Sequence, residues 1–521
     1  MSLILNGTSG LFGNVTGGDI SGNFIGLSGN GSLLTATATG SSTARSLANR
    51  FGDVVNVKDF GAVSDYYLAG GIINPNPTDN TVAFQNAVNY ASTLLTPSTE
   101  INYPVVKGAV YIPSGAYYIA SGSSITLQKG VCIFGESRSS SQIIHGGGNV
   151  PCITTVDYTS DPNNTNVQIQ VEKLFILGSG ASTTYGIKIY DSYRNSDVRE
   201  VTVKNCNVGL YAKDSYTLFV DRCDFQFAIT DSIQIYNPTA ISVFNTRIDN
   251  SGRYGIYLDG TTNNQGVHAI INNCQIQRGQ KSGIQSIDVA SLNVKDCYFE
   301  GNNRDSSSSS DIAYLNGIGN RCVNCIIDGV FATCATGGTN NRFITSDATL
   351  TLVGSRNFDS VSDPAIYTYG VYLNSGVDKF VSINNILVAT TAKIFRASAN
   401  TNIYDDSNVN CYIPNSKFGL RETSGGIELK LTSPTSQESS IVFGDISDEA
   451  QAGVSYIPAT KRITFSGYDN SPRCSIKEQG QFGFGKRTTD PTIDVEAGDV
   501  YYNTSDDKLR VYDGSNWVDL H

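Results

Sequence analysis

Three aspartates, Asp191, Asp214 and Asp259, share one stretch of the chain with a polar and aromatic series, Lys188, Tyr211, Gln234 and Tyr257. The chemistry open to these types is saccharide chemistry. Tyrosine rings offer apolar faces to sugar C–H groups, while amides and ammonium groups read hydroxyls. Glycoside hydrolysis needs two carboxyl groups, about 5–5.5 Å apart for retention and about 6.5–9.5 Å apart for inversion. Asp191 and Asp214 are 23 residues apart. In the repeat described next, that is one coil, or about one 4.8 Å strand spacing. Asp214 and Asp259 are two coils apart and approach the inverting range. An aspartate at a strand end also caps a turn, so each carries a structural reading beside the catalytic one. The polar loop 301–311, or a groove between chains, is the other source of catalytic groups.

The elements that must position these side chains recur between residues 171 and 327. The pattern is apolar-x-x-apolar/Cys-x-apolar: Val171, Leu174, Ile176; Val198, Val201, Val203; Val220, Cys223, Phe225; Val243, Thr246, Ile248; Ile271, Cys274, Ile276; Val294, Cys297, Phe299; Cys322, Cys325, Ile327. A second series, Ile187, Leu210, Ile233, Ile256 and Ile284, keeps phase with it. Self-similarity at this period, in short β-branched units separated by polar turns, predicts a β-solenoid of about three strands per coil. Its inward columns form the core. Lys188, Tyr211, Gln234 and Tyr257 follow the second series by one residue and so face outward. Asn245, Asn273, Asp296 and Asn324 precede the middle position, where a tight corner asks for left-handed backbone. Lys173, Glu200 and Arg222 hold the same place in other coils.

Only 16% of the 521 residues are charged and the net charge is −11, which argues against a nucleic-acid partner. Four cysteines, Cys223, Cys274, Cys297 and Cys325, fall on one inward column and read as small apolar core residues. Reduced cysteines fit assembly in a cytoplasm. Three histidines show no zinc-type spacing, so neither a metal nor another cofactor is expected. No run of 18 apolar residues occurs, and the start lacks the basic and apolar regions of an export signal. Membrane insertion is therefore not expected.

Residues 1–44 carry one charge, Asp19, and read as a flexible tail or as an arm ordered on a partner. A short helix is expected over Ala44–Phe51. A second follows Thr78 or Asp79 as N-cap, burying Val82, Phe84, Ala87, Val88 and Ala91. From about 411, alternating segments such as 453–457 and 462–465 predict an antiparallel β-domain.

Val57-Lys-Asp-Phe-Gly-Ala-Val, the Thr78-Asp-Asn-Thr helix start and Val110-Tyr-Ile-Pro-Ser-Gly-Ala-Tyr resemble the first segment of the pectate-lyase-superfamily right-handed β-helix, which is widespread in bacteriophage tailspikes. Ser46-Leu-Ala-Asn-Arg-Phe-Gly-Asp-Val-Val-Asn-Val-Lys-Asp-Phe-Gly resembles the junction between a virion-binding N-terminus and that helix. The tail from Gly498 to Leu520 is similar to a C-terminal module of phage tail fibres. The resemblance covers most of 45–410 and about the last 25 residues. Between Ser64 and Thr81 the chain is longer than the family pattern, so an extra loop is expected there. The resemblance implies an all-β right-handed parallel β-helix solenoid with a C-terminal antiparallel β-domain, in an intertwined or side-by-side homotrimer. It divides the chain into a virion-attachment arm (1–50), a β-helix domain with a helical cap (51–410) and a trimerisation or receptor-binding region (411–521). The implied protein is a tailspike or tail fibre, assembled in the host cytoplasm. Its arm would dock on virion tail, baseplate or portal-adaptor proteins, and its outer face would meet host surface polysaccharide. Adhesion alone and depolymerisation by a hydrolase or lyase are both open to it. A free secreted lyase or hydrolase is a further alternative. No lyase metal site carries over residue by residue.

Overall fold

A computed structural model describes residues 35–37, 42–46, 52, 54–94, 108–157, 166–193, 196–261, 266–305, 313–316, 324–333, 342–347, 349–358, 367–374, 377, 379–387, 389, 392–397, 402–405, 439–443, 452–457, 459, 461–467, 472–492 and 495–520. The chain forms two compact units, residues 1–415 and 416–521.

The first unit is a parallel β-solenoid with three strands to a coil. One face is a sheet of thirteen strands running from Val55–Asn56 to Asn402–Asp405. The second face includes Asp224–Gln226, Arg247–Asp249 and Gln275–Gln277, and the third Ile233–Tyr236, Ile256–Asp259 and Ile284–Ile287. In two coils the second and third strands run together round the corner, as Phe175–Tyr190 and Thr202–Lys213. Val171, Val198, Val220, Val243, Ile271 and Val294 pair in order on the first face. Ile176, Val203, Phe225, Ile248, Ile276 and Phe299 do so on the second, and Ile187, Leu210, Ile233, Ile256 and Ile284 on the third. All are buried, so each coil shields the apolar edge of the next.

The last repeat sits in a different register from the one expected. Ile327 pairs with Val294 and Cys325 with Leu292, so Ile327 takes the first position of the motif, not the third. Val330 then follows Cys297, Phe331 donating its N–H to the Cys297 carbonyl at 3.0 Å, and Ala332 pairs with Phe299. Asn324 accordingly lies inside a strand, and Gly329 makes the corner with φ 62°. Ile327 satisfies the motif in either frame, and the smaller Ala332 made the true frame the weaker match.

The corner itself sets the backbone. Lys173, Glu200, Arg222, Asn245, Asn273 and Asp296 all have φ between 49° and 53°, although only Asn and Asp adopt that region readily. Asn273 donates to the Asn245 Oδ1 at 2.8 Å and Asn245 to the Asp221 Oδ1 at 2.9 Å, a short amide ladder. The next residue, on the cysteine column, has a second role besides packing. Its side chain donates back to the carbonyl two residues earlier: Cys223 to Asp221 (3.4 Å), Thr246 to Phe244 (2.7 Å), Cys274 to Asn272 (3.3 Å) and Cys297 to Lys295 (3.1 Å). Cys and Thr share these places because each is compact and carries a donor.

The helix over Thr81–Thr93 packs on the first coils, with the Phe84 ring edge-on to Tyr117 at 5.5 Å. Its N-cap is Asn80, not Thr78 or Asp79. Asn80 accepts from the Val63 N–H at 2.6 Å, which spends its side chain on the loop behind it. Asp79 instead accepts from the Thr81 N–H and hydroxyl. Val82 is 67% exposed, and Ala83 takes its expected place in the buried stripe. Gln85 pairs with both main-chain groups of Thr126 and so covers a strand edge. The expected extra loop is present, closed by the Leu68-to-Ile72 and Asn74-to-Tyr66 hydrogen bonds. Ala44–Ser46 is a strand antiparallel to Thr35–Thr37, not the start of a helix; residues 47–51 of that expectation, most of the arm and the serine run 306–310 lie outside the described residues. Among the described residues no helix is long and apolar enough to cross a membrane.

His145 is buried between the Thr183 hydroxyl and the Ser123 carbonyl, 2.9 Å from each. Loss of solvation holds its imidazole below the usual value, so the folded chain keeps it neutral. As pH falls below about 6.5 the unfolded chain takes up the proton first. Thermal stability is therefore expected to hold above that pH, to fall as pH drops towards the folded value, and to fall less in His145→Gln.

The second unit contains two small sheets, antiparallel except where Lys486–Arg487 pairs parallel with Val500–Asn503. A five-stranded sheet runs in order from Ser439–Phe443 to Phe482–Phe484, and a four-stranded sheet ends in the Lys508–Tyr512 and Trp517–Leu520 pair. The five-stranded sheet wears its apolar side outward. Tyr456, Ile463, Ile476 and Phe482 are register partners in series, and Phe465 and Phe484 share their side. All six are exposed by 36% or more, while Thr464 on the opposite side is buried.

Candidate saccharide-binding face

The third face places Lys188, Tyr211, Gln234 and Tyr257 as consecutive register partners, one per coil. The column two residues on is Tyr190, Lys213, Tyr236 and Asp259. Parallel in-register strands about 4.8 Å apart force such neighbours into contact. The result is one continuous tyrosine ladder. Ring centroids are 4.6 Å apart for Tyr185–Tyr211, 5.7 Å for Tyr211–Tyr236, 6.0 Å for Tyr236–Tyr257 and 5.7 Å for Tyr257–Tyr254. It crosses four coils, about 14 Å.

Cations sit among the rings. The Lys188 Nζ lies 4.4 Å from the Tyr190 centroid, 5.1 Å from Tyr185 and 5.7 Å from Tyr211. Arg253 covers Tyr254 and Tyr257 at 5.0 and 4.8 Å. Its guanidinium is fixed by the fully buried Asp231, which accepts from its Nε at 2.9 Å and from its Nη2. Burial pushes the Tyr211 and Tyr257 hydroxyls well above their usual range, and the Asp259 carboxylate adds to the shift at Tyr257. These hydroxyls stay protonated at neutral pH and remain donors. The face therefore presents apolar ring surfaces, neutral hydroxyls and cations backed by rings.

Gln234 lies beneath this surface. It is 9% exposed, and its amide donates to the Tyr236 hydroxyl at 3.2 Å. The aspartates border the ladder in two settings. Asp191 and Asp214 occupy a left-handed corner, φ 45° and 53°, and Asn237 continues that column with φ 52°. Asn237 donates to Asp214 at 2.5 Å, and Lys213 lies 3.9 Å from the same carboxylate. Asp259 stands outside that column, one residue earlier in its coil. It is nearly buried and accepts from the Tyr257 hydroxyl (2.9 Å) and from the Thr261 N–H and hydroxyl. Tyr185, Tyr254, Arg253 and Asp231 were not singled out from the sequence. The signal was present, because Tyr185, Asp231 and Tyr254 each stand directly before the Gly or Ser that opens the third-face strand. Among the described residues no group of three or more His, Cys, Asp or Glu side chains is placed to hold a metal.

Residues 54–306 match the family model described as rhamnogalacturonase A/epimerase, pectate lyase-like; this part of the chain is a pectate lyase-like parallel β-helix. No curated protein matches the chain in sequence. Solved structures similar to it include the A-module of a mannuronan C-5 epimerase from Azotobacter vinelandii (15% identity, 67% of this chain and 97% of that one, TM-score 0.45). Others are ORF18 of Geobacillus virus E2 (15%, 91% and 87%, 0.41) and a tailspike protein of the E. coli bacteriophage HK620 (13%, 72% and 68%, 0.47).

Proposed function

We propose that this chain is a virion spike or tail fibre that attaches to a host surface polysaccharide through its third solenoid face. The observation that carries the reading is the ladder from Tyr185 to Tyr257, because stacked rings with donors and cations at their edges suit a chain of pyranoses. The virion assignment is supported by the resemblances at 46–61 and 498–520. Residues 1–50 would dock on tail, baseplate or portal-adaptor proteins. A homotrimer is supported by the outward apolar side of the C-terminal sheet, since an antiparallel sheet covers its apolar side. Three such sheets facing one another would bury Ile463, Phe465, Ile476, Phe482 and Phe484. The expected solution mass is three times the 55.8 kDa chain. Phe465→Ser with Phe482→Ser should lower it to that of the single chain, and a wild-type monomer would remove the trimer from the account.

A second reading, cleavage of the bound polysaccharide, is favoured by the carboxylates of Asp191, Asp214 and Asp259 along the ladder. Incubation of the purified protein with the surface polysaccharide of a susceptible host separates the two. Unchanged chain length means adhesion. Shorter chains without unsaturated ends mean a hydrolase, and unsaturated ends mean a lyase. For cleavage through these groups, Asp214→Asn should cost about 10²–10⁴ in rate while binding persists. Polysaccharide retained by neither wild type nor variant would discard the whole reading.

A further inference from the structure

Where the second strand of each coil turns towards the third, the backbone is left-handed again: Asn205, Phe227, Asn250, Arg278 and Gly301 have φ of 55–57°. Each of the last four donates its N–H to the next coil, as Phe227 does to the Asp249 carbonyl at 3.0 Å. The conformation is demanded by the coil, and Asn and Gly are its usual occupants. Two residues break that rule, Phe227 and Arg278, and both line the same 260 Å³ groove. The coil imposes this backbone here as it does at Lys173, Glu200 and Arg222; what sets Phe227 apart is that its ring is 43% exposed beside Ile229, 49% exposed.

The other walls are polar. Asn250, Ser251 and Gln280 line the groove. Arg278 is held by the buried Asp249 through bonds of 2.7 and 2.5 Å, which leaves its guanidinium oriented and about half exposed. The Lys204 Nζ stands 5.1 Å from the Phe227 centroid, and no described carboxylate lies within 4.0 Å of it. The lining carries one cation and no carboxylate. The groove walls run on in sequence into the ladder. Gly252 on its wall leads directly into Arg253 and Tyr254, and Gln280 into Lys281, whose ammonium lies 6.0 Å from the Tyr254 centroid.

We propose that this groove is a subsite for one pyranose bearing a carboxylate, carried as a side branch by the polysaccharide that lies on the ladder. The volume falls below the roughly 300–1,000 Å³ of drug-sized sites, which suits a single ring. Phe227 and Ile229 supply the stacking floor, Asn250, Gln280 and the Asp249-paired Arg278 meet hydroxyls, and Lys204 meets the carboxylate. The branch assignment rests on the polysaccharide reading of the ladder; the pyranose site does not.

Saturation-transfer NMR on the full chain, with methyl β-D-glucuronide and methyl β-D-glucoside as probes, tests the subsite. The glucuronide should bind at least about tenfold more tightly, the difference of one charge-assisted contact. Lys204→Gln should reduce it to the level of the glucoside. Phe227→Gly should weaken both probes at least about tenfold while leaving the thermal midpoint equal or higher, because glycine suits the corner. A fall in the midpoint would assign the ring to packing, and unchanged probe binding in Phe227→Gly would overturn the subsite, as would no signal from either probe. If the chain binds the glucuronide but no host polysaccharide, the ladder reading fails and the subsite stands; the opposite result removes only the subsite.

Discussion

Tyr211→Ala is expected to weaken binding of the host surface polysaccharide about thirtyfold, or about 2 kcal/mol, the scale of a central aromatic contact. Tyr211 is the junction of the ladder, with ring contacts to Tyr185, Tyr190 and Tyr236 and the Lys188 ammonium 5.7 Å away. Truncation removes a platform and also leaves the flanking rings without a neighbour. Tyr211→Phe keeps the ring and loses only the hydroxyl, so its loss should be severalfold at most. Because burial raises the hydroxyl pKa, wild-type binding should show no tyrosine titration between about pH 6 and 9. Equilibrium binding to immobilised polysaccharide, with circular dichroism to confirm an intact β-fold, reads all three. A Tyr211→Ala chain that binds as well as wild type would take the ladder out of recognition.

The largest stability effect is expected from Phe225→Ala, about 3–5 kcal/mol. Phe225 is wholly buried and sits between Val203 and Ile248 in the second-face column. A Cβ on Gly209 would lie 2.7 Å from its ring and 2.5 Å from the Ser232 carbonyl, so the coil has closed tightly round the aromatic. The backbone is pinned there by parallel pairing on both sides and cannot collapse into the space left by the ring. In a solenoid that loss falls on two coil interfaces at once. Denaturant unfolding should show it directly. A change below about 1 kcal/mol would mean that the coils at 203–248 are not stacked as described.

The core was legible from sequence because a solenoid repeats its physics as well as its spacing. Each coil must bury the same three columns, so Val203, Phe225 and Ile248 announced one another. The last coil was misread for the converse reason: an insertion moved the frame while Ile327 still fitted the pattern. The ladder was half legible. Lys188, Tyr211 and Tyr257 follow from register alone, whereas burial of Gln234 under the tyrosines depends on ring packing that no spacing encodes. The contribution of Tyr185 and Tyr254 needs the corner geometry, which brings residues before the strand onto its outer surface. Phe227 and Arg278 were invisible for the same reason, since left-handed backbone at a fixed corner is a property of the stacked coil. Helix details followed local chemistry. Asn80 holds the cap position with its side chain committed to Val63, and Asp79 takes the Thr81 N–H instead.

Recognition at the third face is tested most directly by a crystal structure of the chain with an oligosaccharide from the polysaccharide of a susceptible host. The predicted result is a saccharide chain across Tyr185, Tyr211, Tyr236 and Tyr257, with sugar rings against the tyrosine faces and Lys188 at its edge. An oligosaccharide bound at another face, or on the C-terminal sheets with the ladder bare, would contradict the account.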